Sequence, residues 1–380
     1  MKLIDCVLAD KQEEMLHFIE QLVNIDSGSH VKAGIDTIGL IMKGHFEDVG
    51  FAVDTILQEV HGNHMVMQHR EAVDPKIIIV AHMDTVFPKG TVAKRPFRIE
   101  GDRAYGPGVV DMKSSLVELL YAIKYMKEVG YEGYKNVQII LNSDEEIGSP
   151  TSRSLIMEKA QGKEFALIME PARKDGSLVS ARRGGGHYTL IVKGKAAHAG
   201  IEPEKGRSAI EELAHKVIQL HHLTDHQKGI SVNVGMIEGG SAYNTVSSKA
   251  VAHIDIRIAQ MDQAQTLLEK MKEICSFTSV PGTKIKLTGE IGRPPMEKTE
   301  QTKSLLKIIR KVGEEIGIKV SDTSTGGGSD ASFTAATGVA TVDGLGPVGG
   351  NAHSDEEYLE IPTLTERTLL LAKTIQKLSE

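Results

Sequence analysis

Three short, almost continuous apolar runs in the first half of the chain have the pattern of buried β-strands. They occupy residues 77–81, 137–141 and 165–169. Runs of this length with little polar alternation are typical of strands covered on both faces, as in a parallel sheet. Strands and helices alternate in this region, which predicts an α/β domain. The predicted helices cover residues 11–25, 36–49 and 151–160, and a further helix ends at Glu128.

Each of the three runs ends in side chains that can bind a metal ion or transfer a proton. The first is followed by His82 and Asp84, the second by Glu145 and Glu146, and the third by Glu170. Taken alone, adjacent acids are typical of a solvated turn, because buried carboxylates need cations or hydrogen bonds to compensate them. The carboxyl ends of parallel strands, however, meet at one crevice of an α/β sheet. We therefore expect these side chains to converge there.

A glycine-rich turn at residues 105–115 carries Asp111 and leads into a helix, so Asp111 is expected to join the same crevice. Imidazole is a good zinc ligand, and a nearby carboxylate commonly orients a ligating histidine through its other ring nitrogen. Asp84 lies two residues after His82 and hence on the same face of the strand. This spacing suggests that Asp84 orients His82.

Three further histidines, His61, His64 and His69, lie close together in the sequence. Val66 and Met67 lie between them, and the alternation of the segment indicates an edge strand with exposed imidazoles. We therefore favour a surface strand over a metal site for these three histidines.

From about Arg182 the pattern of strands and helices changes. Its order is strand, helix, strand, strand, helix, strand, which is that of a ferredoxin-like unit. We expect an α/β domain made of residues 1–181 and 295–380, interrupted by an inserted domain of residues 182–294. The strands predicted in the insert are 187–192, 230–237, 249–258 and 283–287, its helices are 207–222 and 262–277, and helices 299–317 and 362–378 follow it.

Composition narrows the class of protein. A chain of 380 residues with 40% hydrophobic residues is long enough for two cores. The formal net charge of −7 gives no electrostatic reason to expect a nucleic acid as partner. The segment from Met1 to Asp10 is too short and too charged for a secretory signal, and no stretch approaches the ~20 apolar residues of a membrane span. We expect a soluble cytoplasmic protein that does not bind a membrane.

The chain has two cysteines, Cys6 and Cys275, which lie far apart in the sequence. Two distant cysteines make no disulfide framework. A metal site would therefore be built from His, Asp and Glu side chains.

Seven short motifs occur in order along nearly the whole chain. They are His82-Met-Asp84, Gly108-Val-Val-Asp-Met-Lys113, Asp144-Glu-Glu-Ile-Gly148, Met169-Glu-Pro171, Ala197-His198, Gly326-Gly-Gly-Ser-Asp330 and Asn351-Ala-His-Ser354. With these motifs the chain resembles the dinuclear zinc aminoacylase and carboxypeptidase family, which includes glutamate carboxypeptidase, acetylornithine deacetylase, succinyl-diaminopimelate desuccinylase and peptidase T. The resemblance implies a zinc-exopeptidase-like α/β catalytic domain with an inserted ferredoxin-like domain that serves as lid and dimerisation domain.

The resemblance also implies how a metal site would be divided. Asp111 bridges two ions, His82 and Glu170 complete one set of ligands, and Glu146 and His353 complete the other. Two Zn²⁺ ions are expected, with Co²⁺ or Mn²⁺ as alternatives, about 3.5–4 Å apart. A water shared by two such cations becomes hydroxide near neutral pH.

The remaining roles implied by the resemblance concern catalysis and substrate binding. Glu145 is the general base, which takes a proton from the water and passes it to the leaving nitrogen. His198, in a loop of small residues, stabilises the oxyanion in the partner subunit's site. Asn244 and Arg293 bind the substrate, and the arginine fork suits a terminal carboxylate. Arg257 is either another substrate contact or one half of a salt bridge within the sheet.

The predicted function is that of a di-zinc metallopeptidase of small peptides, acting as a homodimer formed through the inserted domain. It is either a peptidase T-like tripeptidase or a glutamate-carboxypeptidase-like exopeptidase, and the alternative is an N-acyl amino acid deacylase. Glu170, where peptidase T usually has Asp, favours the carboxypeptidase and deacetylase branches. Ser114-Ser115 and the lack of a proline after Asn244 depart from the family motifs. An intact set of acids argues against a non-enzymatic relative.

Overall fold

The structure, a computed structural model, describes residues 6–380, and these form two compact units. One unit consists of residues 6–181, 298–325 and 329–380, and the other of residues 182–297 and 326–328. The sequence predicts that the segment from Met1 to Asp10 is not a secretory signal. Residues 1–5 of that segment lie outside the described range. Within that range no helix combines the length and the apolar character needed to cross a membrane.

In the first unit the chain alternates between helices and strands. The predicted helices and apolar strands of this part are present, with small shifts at their ends. The elements are α1 (Cys6–Ala9), α2 (Gln12–Val23), α3 (Lys32–Asp48), β1 (Phe51–Ile56), β2 (His64–His69), β3 (Ile77–His82), α4 (Thr91–Lys94), β4 (Arg98–Glu100), β5 (Arg103–Tyr105), α5 (Ser114–Glu128), β6 (Val137–Asn142), α6 (Arg153–Ala160), β7 (Phe165–Ile168) and β8 (Leu178–Arg182).

The second unit has the ferredoxin-like order of elements that the sequence predicts. Its elements are β9 (Gly184–Lys193), α7 (Ala209–His221), β10 (Ser231–Gly239), β11 (Lys249–Ile258), α8 (Asp262–Ser276) and β12 (Lys284–Arg293). The strands form an antiparallel sheet in the order β10-β11-β9-β12. Leu213 of α7, Met271 of α8 and Ile254 of β11 belong to one buried cluster, so the helices cover the sheet with their apolar faces.

The chain then returns to the first unit. The elements of this last part are α9 (Glu300–Glu315), β13 (Asp322–Thr325), α10 (Ala331–Ala336), β14 (Ala340–Val342), β15 (Gly349–Gly350), β16 (Tyr358–Glu360) and α11 (Leu364–Leu378). The two long helices correspond to the helices predicted at residues 299–317 and 362–378. Leu371 of α11 lies in the same buried cluster as Ile79 of β3 and Leu119 of α5.

The central sheet of the first unit has, in the described part of the chain, six strands in the order β1-β2-β6-β3-β7-β14. β3 runs parallel to both β6 and β7, and β14 runs parallel to β7. The side chains of residues 77–80 in β3 are buried, as expected for a strand covered on both faces. The segments that follow β3, β6 and β7 therefore leave the sheet at one edge.

β2 lies inside this sheet, so the prediction of an edge strand with exposed imidazoles is wrong. β2 pairs with β1 on one side and with β6 on the other, and His64 and His69 are buried. The ring nitrogens of His64 lie 3.0 Å from the hydroxyl of Ser143 and 2.9 Å from that of Thr151. Because both nitrogens have hydrogen-bond partners, the imidazole can be buried without leaving a polar atom unpaired.

The first unit also contains a two-stranded sheet of β13 and β8 and a small antiparallel sheet in the order β15-β16-β5-β4. The sequence does not predict the small antiparallel sheet, because strands of two or three residues are too short to show a periodic pattern. In this sheet Tyr358 of β16 pairs with Tyr105 of β5. The pairing brings the residues just before β16 next to the glycine-rich turn that follows β5.

Candidate metal centre

Strand ends of the central sheet supply most of the predicted site. His82 is the last residue of β3, and Glu170 follows the end of β7. Glu145 and Glu146 begin a short helical turn after β6, which ends at Gly148 with a φ of 90°. A residue other than glycine would be strained there. The parallel strands thus deliver these side chains to one edge, as the sequence predicts.

Asp111 lies between two histidines that are far apart in the sequence. Its Oδ1 is 3.2 Å from Nε2 of His82, and its Oδ2 is 3.3 Å from Nε2 of His353. A glutamate accompanies each histidine: Oε1 of Glu170 is 3.7 Å from Nε2 of His82, and Oε2 of Glu146 is 3.1 Å from Nε2 of His353. The cluster therefore consists of two halves that share one carboxylate.

Glu145 belongs to the same cluster. Ligand atoms of His82, Glu145 and Glu170 all lie within 4.8 Å of one another, and so do those of His82, Asp111 and Glu146. Either group has the size of a metal-binding site. In the first group Glu145 lies beside His82 and Glu170. A general base at this position would be close to a water held between these residues.

The charges of the cluster explain why it would attract cations. Burial raises the pKa of Glu170 well above its usual value, and the carboxylate of Asp111 raises it further. Burial also raises the pKa of Glu146, against the opposing hydrogen bond with His353. Hydrogen bonds with Asp111 and Glu146 raise the pKa of His353 to about 11. Crowded acids at a buried site are stabilised by positive charge, whether from protonated histidine or from metal ions.

His353 reaches the cluster from a loop with an unusual backbone. Its φ is 65°, in the left-handed region that few residues other than glycine adopt, although histidine is enriched there. Its side chain is about half exposed, at 52%, whereas that of His82 is buried. Strained residues of this kind occur at functional sites, where the surrounding structure holds them in place.

The turn that carries Asp111 also departs from regular geometry. It starts after Gly108, whose φ is 73°, and Asp111 and Met112 have non-helical angles within a turn that is otherwise helical. The peptide bond between Asp111 and Met112 is cis. The carboxylate of Glu357 accepts hydrogen bonds from backbone N–H groups of this turn. Sequence reasoning missed Glu357, because it lies 246 residues from Asp111 and no spacing rule connects them.

Asp84 lies beside His82, but the hydrogen bond of the imidazole goes to its backbone carbonyl oxygen and not to the predicted carboxylate. Nδ1 of His82 is 2.9 Å from the backbone carbonyl oxygen of Asp84 and 3.5 Å from its Oδ1. The carboxylate accepts hydrogen bonds from the backbone N–H groups of Glu145 and Glu146, both at 3.2 Å, and from the hydroxyl of Ser29 at 2.7 Å. Asp84 therefore fixes the turn with the two glutamates as well as the ring of His82.

Two other acids of the predicted motifs hold the loops around the site. Asp144 accepts hydrogen bonds from the backbone N–H and the hydroxyl of Thr151, both at 2.7 Å, and from the hydroxyl of Ser152 at 2.5 Å. Asp330 accepts one from the side-chain amide of Asn142 at 2.6 Å. These contacts flank the turn at Glu145 and Glu146 and make it rigid.

The donor atoms fit divalent cations. Two imidazoles and three carboxylates are a nitrogen and oxygen set of the kind that zinc, cobalt or manganese accept. In addition, Oε1 of Glu146 is buried and has no hydrogen-bond partner among residues 6–380. A buried carboxylate oxygen without a donor is a natural position for a cation.

Comparison with known proteins agrees with this chemistry. The family model described as "Peptidase family M20/M25/M40" matches residues 78–377, which include the whole cluster. The chain is a member of peptidase family M20/M25/M40. It is therefore a metal-dependent hydrolase that acts on amide bonds.

Individual relatives of this M20 peptidase match it over almost its full length. Carboxypeptidase G2 from Pseudomonas sp. (strain RS-16) is 31% identical over 374 residues, which are 97% of this chain and 90% of that protein. Succinyl-diaminopimelate desuccinylase from Dechloromonas aromatica is 26% identical over 363 residues, 89% of this chain and 92% of the relative. The crystal structure of aminopeptidase PepT from Bacillus cereus has a TM-score of 0.81 at 23% identity and covers 97% of this chain and 99% of its own. This likeness confirms the predicted α/β fold.

The other residues predicted to act in this M20 peptidase belong to the second unit. His198 is exposed, and its Nδ1 accepts hydrogen bonds from the backbone N–H groups of Gly200 and Ile201, each at 3.1 Å. A neutral imidazole that accepts at Nδ1 carries its proton at Nε2, which is then available as a donor. Asn244 is exposed in a turn, where its backbone carbonyl accepts a hydrogen bond from Ala199 at 2.8 Å.

The two arginines differ in their surroundings. Arg257 forms a pair with Asp255 on the same strand, with Nε and Nη2 at 3.0 and 2.9 Å from the two carboxylate oxygens. The predicted salt bridge of Arg257 within the sheet is thus present, and its role as a substrate contact stays a prediction. Arg293 is the last residue of β12 and is half-buried.

Proposed function

We propose that this M20 peptidase binds two divalent metal ions around Asp111, two Zn²⁺ or alternatively Co²⁺ or Mn²⁺. His82 and Glu170 would bind one ion, Glu146 and His353 the other, and Asp111 would bind both. The observation that carries this proposal is that the two oxygens of Asp111 face two different histidines, at 3.2 and 3.3 Å. A carboxylate in this position is suited to join two cations.

The residues of the chain supply the proton transfers of the proposed reaction. Bound metal ions polarise the carbonyl of the substrate and lower the pKa of water. Glu145 is the proposed general base, which takes a proton from the attacking water and delivers it to the leaving nitrogen. Its backbone N–H donates to Asp84, so the turn that carries it is held in place. His198 is the proposed donor to the oxyanion, through Nε2–H.

The proposed substrate is a small peptide with a free carboxyl terminus, cleaved by an exopeptidase of the glutamate-carboxypeptidase type. The 31% identity with carboxypeptidase G2 over nearly the whole chain supports this choice over a tripeptidase, because the likeness to PepT concerns the fold. Asn244 and Arg293 are the proposed substrate-binding residues. The guanidinium of Arg293 would pair with the terminal carboxylate.

An N-acyl amino acid deacylase is the alternative. The 26% identity with a succinyl-diaminopimelate desuccinylase over 89% of the chain favours it to a smaller degree. Both reactions break an amide bond, so the same cluster of acids and histidines would serve either. The two candidates differ in the group on the acyl side of that bond.

A substrate panel distinguishes these functions. We would assay dipeptides and tripeptides, the same peptides amidated at the carboxyl terminus, and N-acetyl and N-succinyl amino acids. Each assay is run on metal-free protein and again after addition of zinc, cobalt or manganese. We expect hydrolysis of peptides with a free carboxylate, its loss without metal and its loss on amidation. Faster hydrolysis of N-acyl amino acids would favour the deacylase, and activity that persists without metal would contradict the proposed site.

We further propose that the protein is a homodimer formed through residues 182–294. β10 is an edge strand of its sheet, and Met236 and Ile237 on it are each 59% exposed. Ile218 on α7 is exposed to a similar extent, at 58%. An unpaired strand edge next to apolar side chains is suited to pair with the same edge of a second copy.

A further inference from the structure

The backbone of the turn that carries Asp111 depends on an acceptor outside the turn. Asp111 and Met112 do not have helical angles, so the turn does not provide the regular pattern of helical hydrogen bonds. Three of its N–H groups donate instead to one carboxylate. Oε2 of Glu357 accepts from Gly108 at 3.0 Å, and Oε1 accepts from Val110 at 2.9 Å and from Asp111 at 3.0 Å. The direction of this backbone is therefore set by Glu357.

Glu357 is itself held firmly. Its side chain is buried, with 1% of the residue exposed, and the next residue, Tyr358, begins β16 and pairs with Tyr105. The backbone N–H of Glu357 donates to the carbonyl of Ser354 at 3.3 Å. Such a carboxylate has little freedom to move.

The position of Glu357 in the chain connects the two halves of the cluster. It follows His353 in the same loop, and it holds the turn of Asp111, which is remote in sequence. The carboxylate therefore joins the segments that carry the shared acid and one of the two histidines. A shift of either segment would change the distance of 3.3 Å between Oδ2 of Asp111 and Nε2 of His353.

We propose that Glu357 is a positioning residue of the metal centre, which fixes the direction of the Asp111 carboxylate so that its two oxygens serve two cations at once. It acts through the backbone, since its hydrogen bonds go to N–H groups of the turn. The inference rests on the proposed function, because the direction of Asp111 matters in this way only if two cations share it. Mutation of a residue that orients a metal ligand typically lowers metal affinity or activity by about 10–100-fold.

The test is Glu357→Gln, with Glu356→Gln as the matched control. Glutamine keeps the size of the side chain and one accepting oxygen, but its amide nitrogen donates and cannot accept a hydrogen bond. Glu356 is the exposed neighbour in the same loop. Four quantities are measured for both variants and the wild type: bound metal per chain, zinc affinity by competition with a chelator, the thermal midpoint of the metal-free protein, and kcat and KM.

We expect Glu357→Gln to weaken zinc binding by about 10–100-fold, the usual effect of losing a residue that orients a ligand. kcat should fall at limiting zinc and recover in part with excess zinc, while KM stays near the wild-type value. The thermal midpoint of the metal-free protein should fall only modestly below that of Glu356→Gln, because the variant leaves a buried N–H group of the turn without its acceptor. Glu357→Ala, which removes both accepting oxygens, should weaken zinc binding further than Glu357→Gln.

Two results would overturn the inference. One is an equal zinc affinity in Glu357→Gln and Glu356→Gln. The other is a loss of zinc that only accompanies a large drop in the thermal midpoint of the metal-free protein, since that describes a general packing role. A wild-type protein that does not bind two cations would instead refute the proposed function, so the two failures are distinguishable.

Discussion

At the scale of single residues, Glu145 and Glu146 are chemically identical neighbours with different surroundings. Oε2 of Glu146 lies 3.1 Å from the imidazole of His353, and its side chain is only 6% exposed. Glu145 groups with His82 and Glu170. Asp84 accepts the N–H groups of both, so the turn is fixed while each carboxylate reaches a different half of the cluster. These surroundings support the proposed roles, proton transfer for Glu145 and metal binding for Glu146.

Replacing Glu145 with Gln should separate these roles. The substitution keeps the shape of the side chain and removes the base, so kcat should fall by about 10²–10⁴-fold. Metal content and KM should stay near the wild-type values, because neither depends on the proton that Glu145 carries. The measurements are metal analysis of the purified variant and steady-state kinetics on the best peptide of the panel.

Glu146→Gln is the matched comparison for that experiment. It should weaken metal binding, and excess zinc should restore part of its activity. If Glu145→Gln lost metal while Glu146→Gln kept full occupancy and turned over slowly, the two assignments would have to be exchanged.

At the scale of elements, the sequence predicts those strands in which all side chains have the same polarity. The run at residues 77–81 is apolar throughout, and it becomes β3 in the middle of the sheet. The position of β2 is predicted wrongly because His64 has a polar side chain. That side chain can be buried only because it has hydrogen-bond partners 79 and 87 residues away in the sequence. Glu357 was missed for the same reason. The burial of such residues depends on long-range hydrogen bonds, which a local sequence pattern does not show.

The buried imidazole of His64 should make stability depend on pH. Burial lowers its pKa below the ordinary 6.5, so the unfolded chain takes up the proton more readily than the folded one. The stability that neutral His64 supplies is thus fully present above about pH 6.5 and is lost as the pH falls through the lower pKa of the folded state. His64→Gln removes the titrating group, so its free energy of unfolding should fall less between pH 7 and about pH 5 than that of the wild type.

This prediction is checked by urea unfolding across that pH range, with a chelator present so that metal binding does not contribute. His17→Gln is the control, since the His17 side chain is 85% exposed and lies on the surface of α2. It should show the same decline as the wild type. An identical decline in His64→Gln would mean that the burial of His64 does not contribute to the acid sensitivity.

At the scale of the whole molecule, the edge strand β10 provides a direct test of the proposed dimer. Met236→Glu and Ile237→Glu place charges on the exposed apolar edge, where two copies would have to bury them. We expect the double variant to be a monomer by light scattering at concentrations at which the wild type is a dimer. Val73→Glu is the matched control, because Val73 is 92% exposed in the first unit. A dimer that survives the double substitution would exclude this edge as the interface.

The proposed sharing of His198 between subunits predicts complementation. A His198→Ala chain and a Glu145→Gln chain should each be nearly inactive alone. After they are mixed and exchanged, a hybrid dimer would contain one site with both residues intact, so part of the activity should return. Mass spectrometry verifies that hybrids have formed. A verified hybrid without recovered activity would show that His198 does not act across the dimer.

The wide spacing of the residues around Asp111 also bears on how the protein is made in the cell. His82 is made first of these residues and His353 last. Domains generally fold as units. The unit that holds the cluster includes residues before and after the second unit, and Glu357, which holds the turn of Asp111, follows His353. The half with His82, Asp111 and Glu170 therefore reaches its final geometry only once the segment with His353 and Glu357 has left the ribosome, and the two proposed cations would be bound from that stage on, from whatever metal the chain then meets.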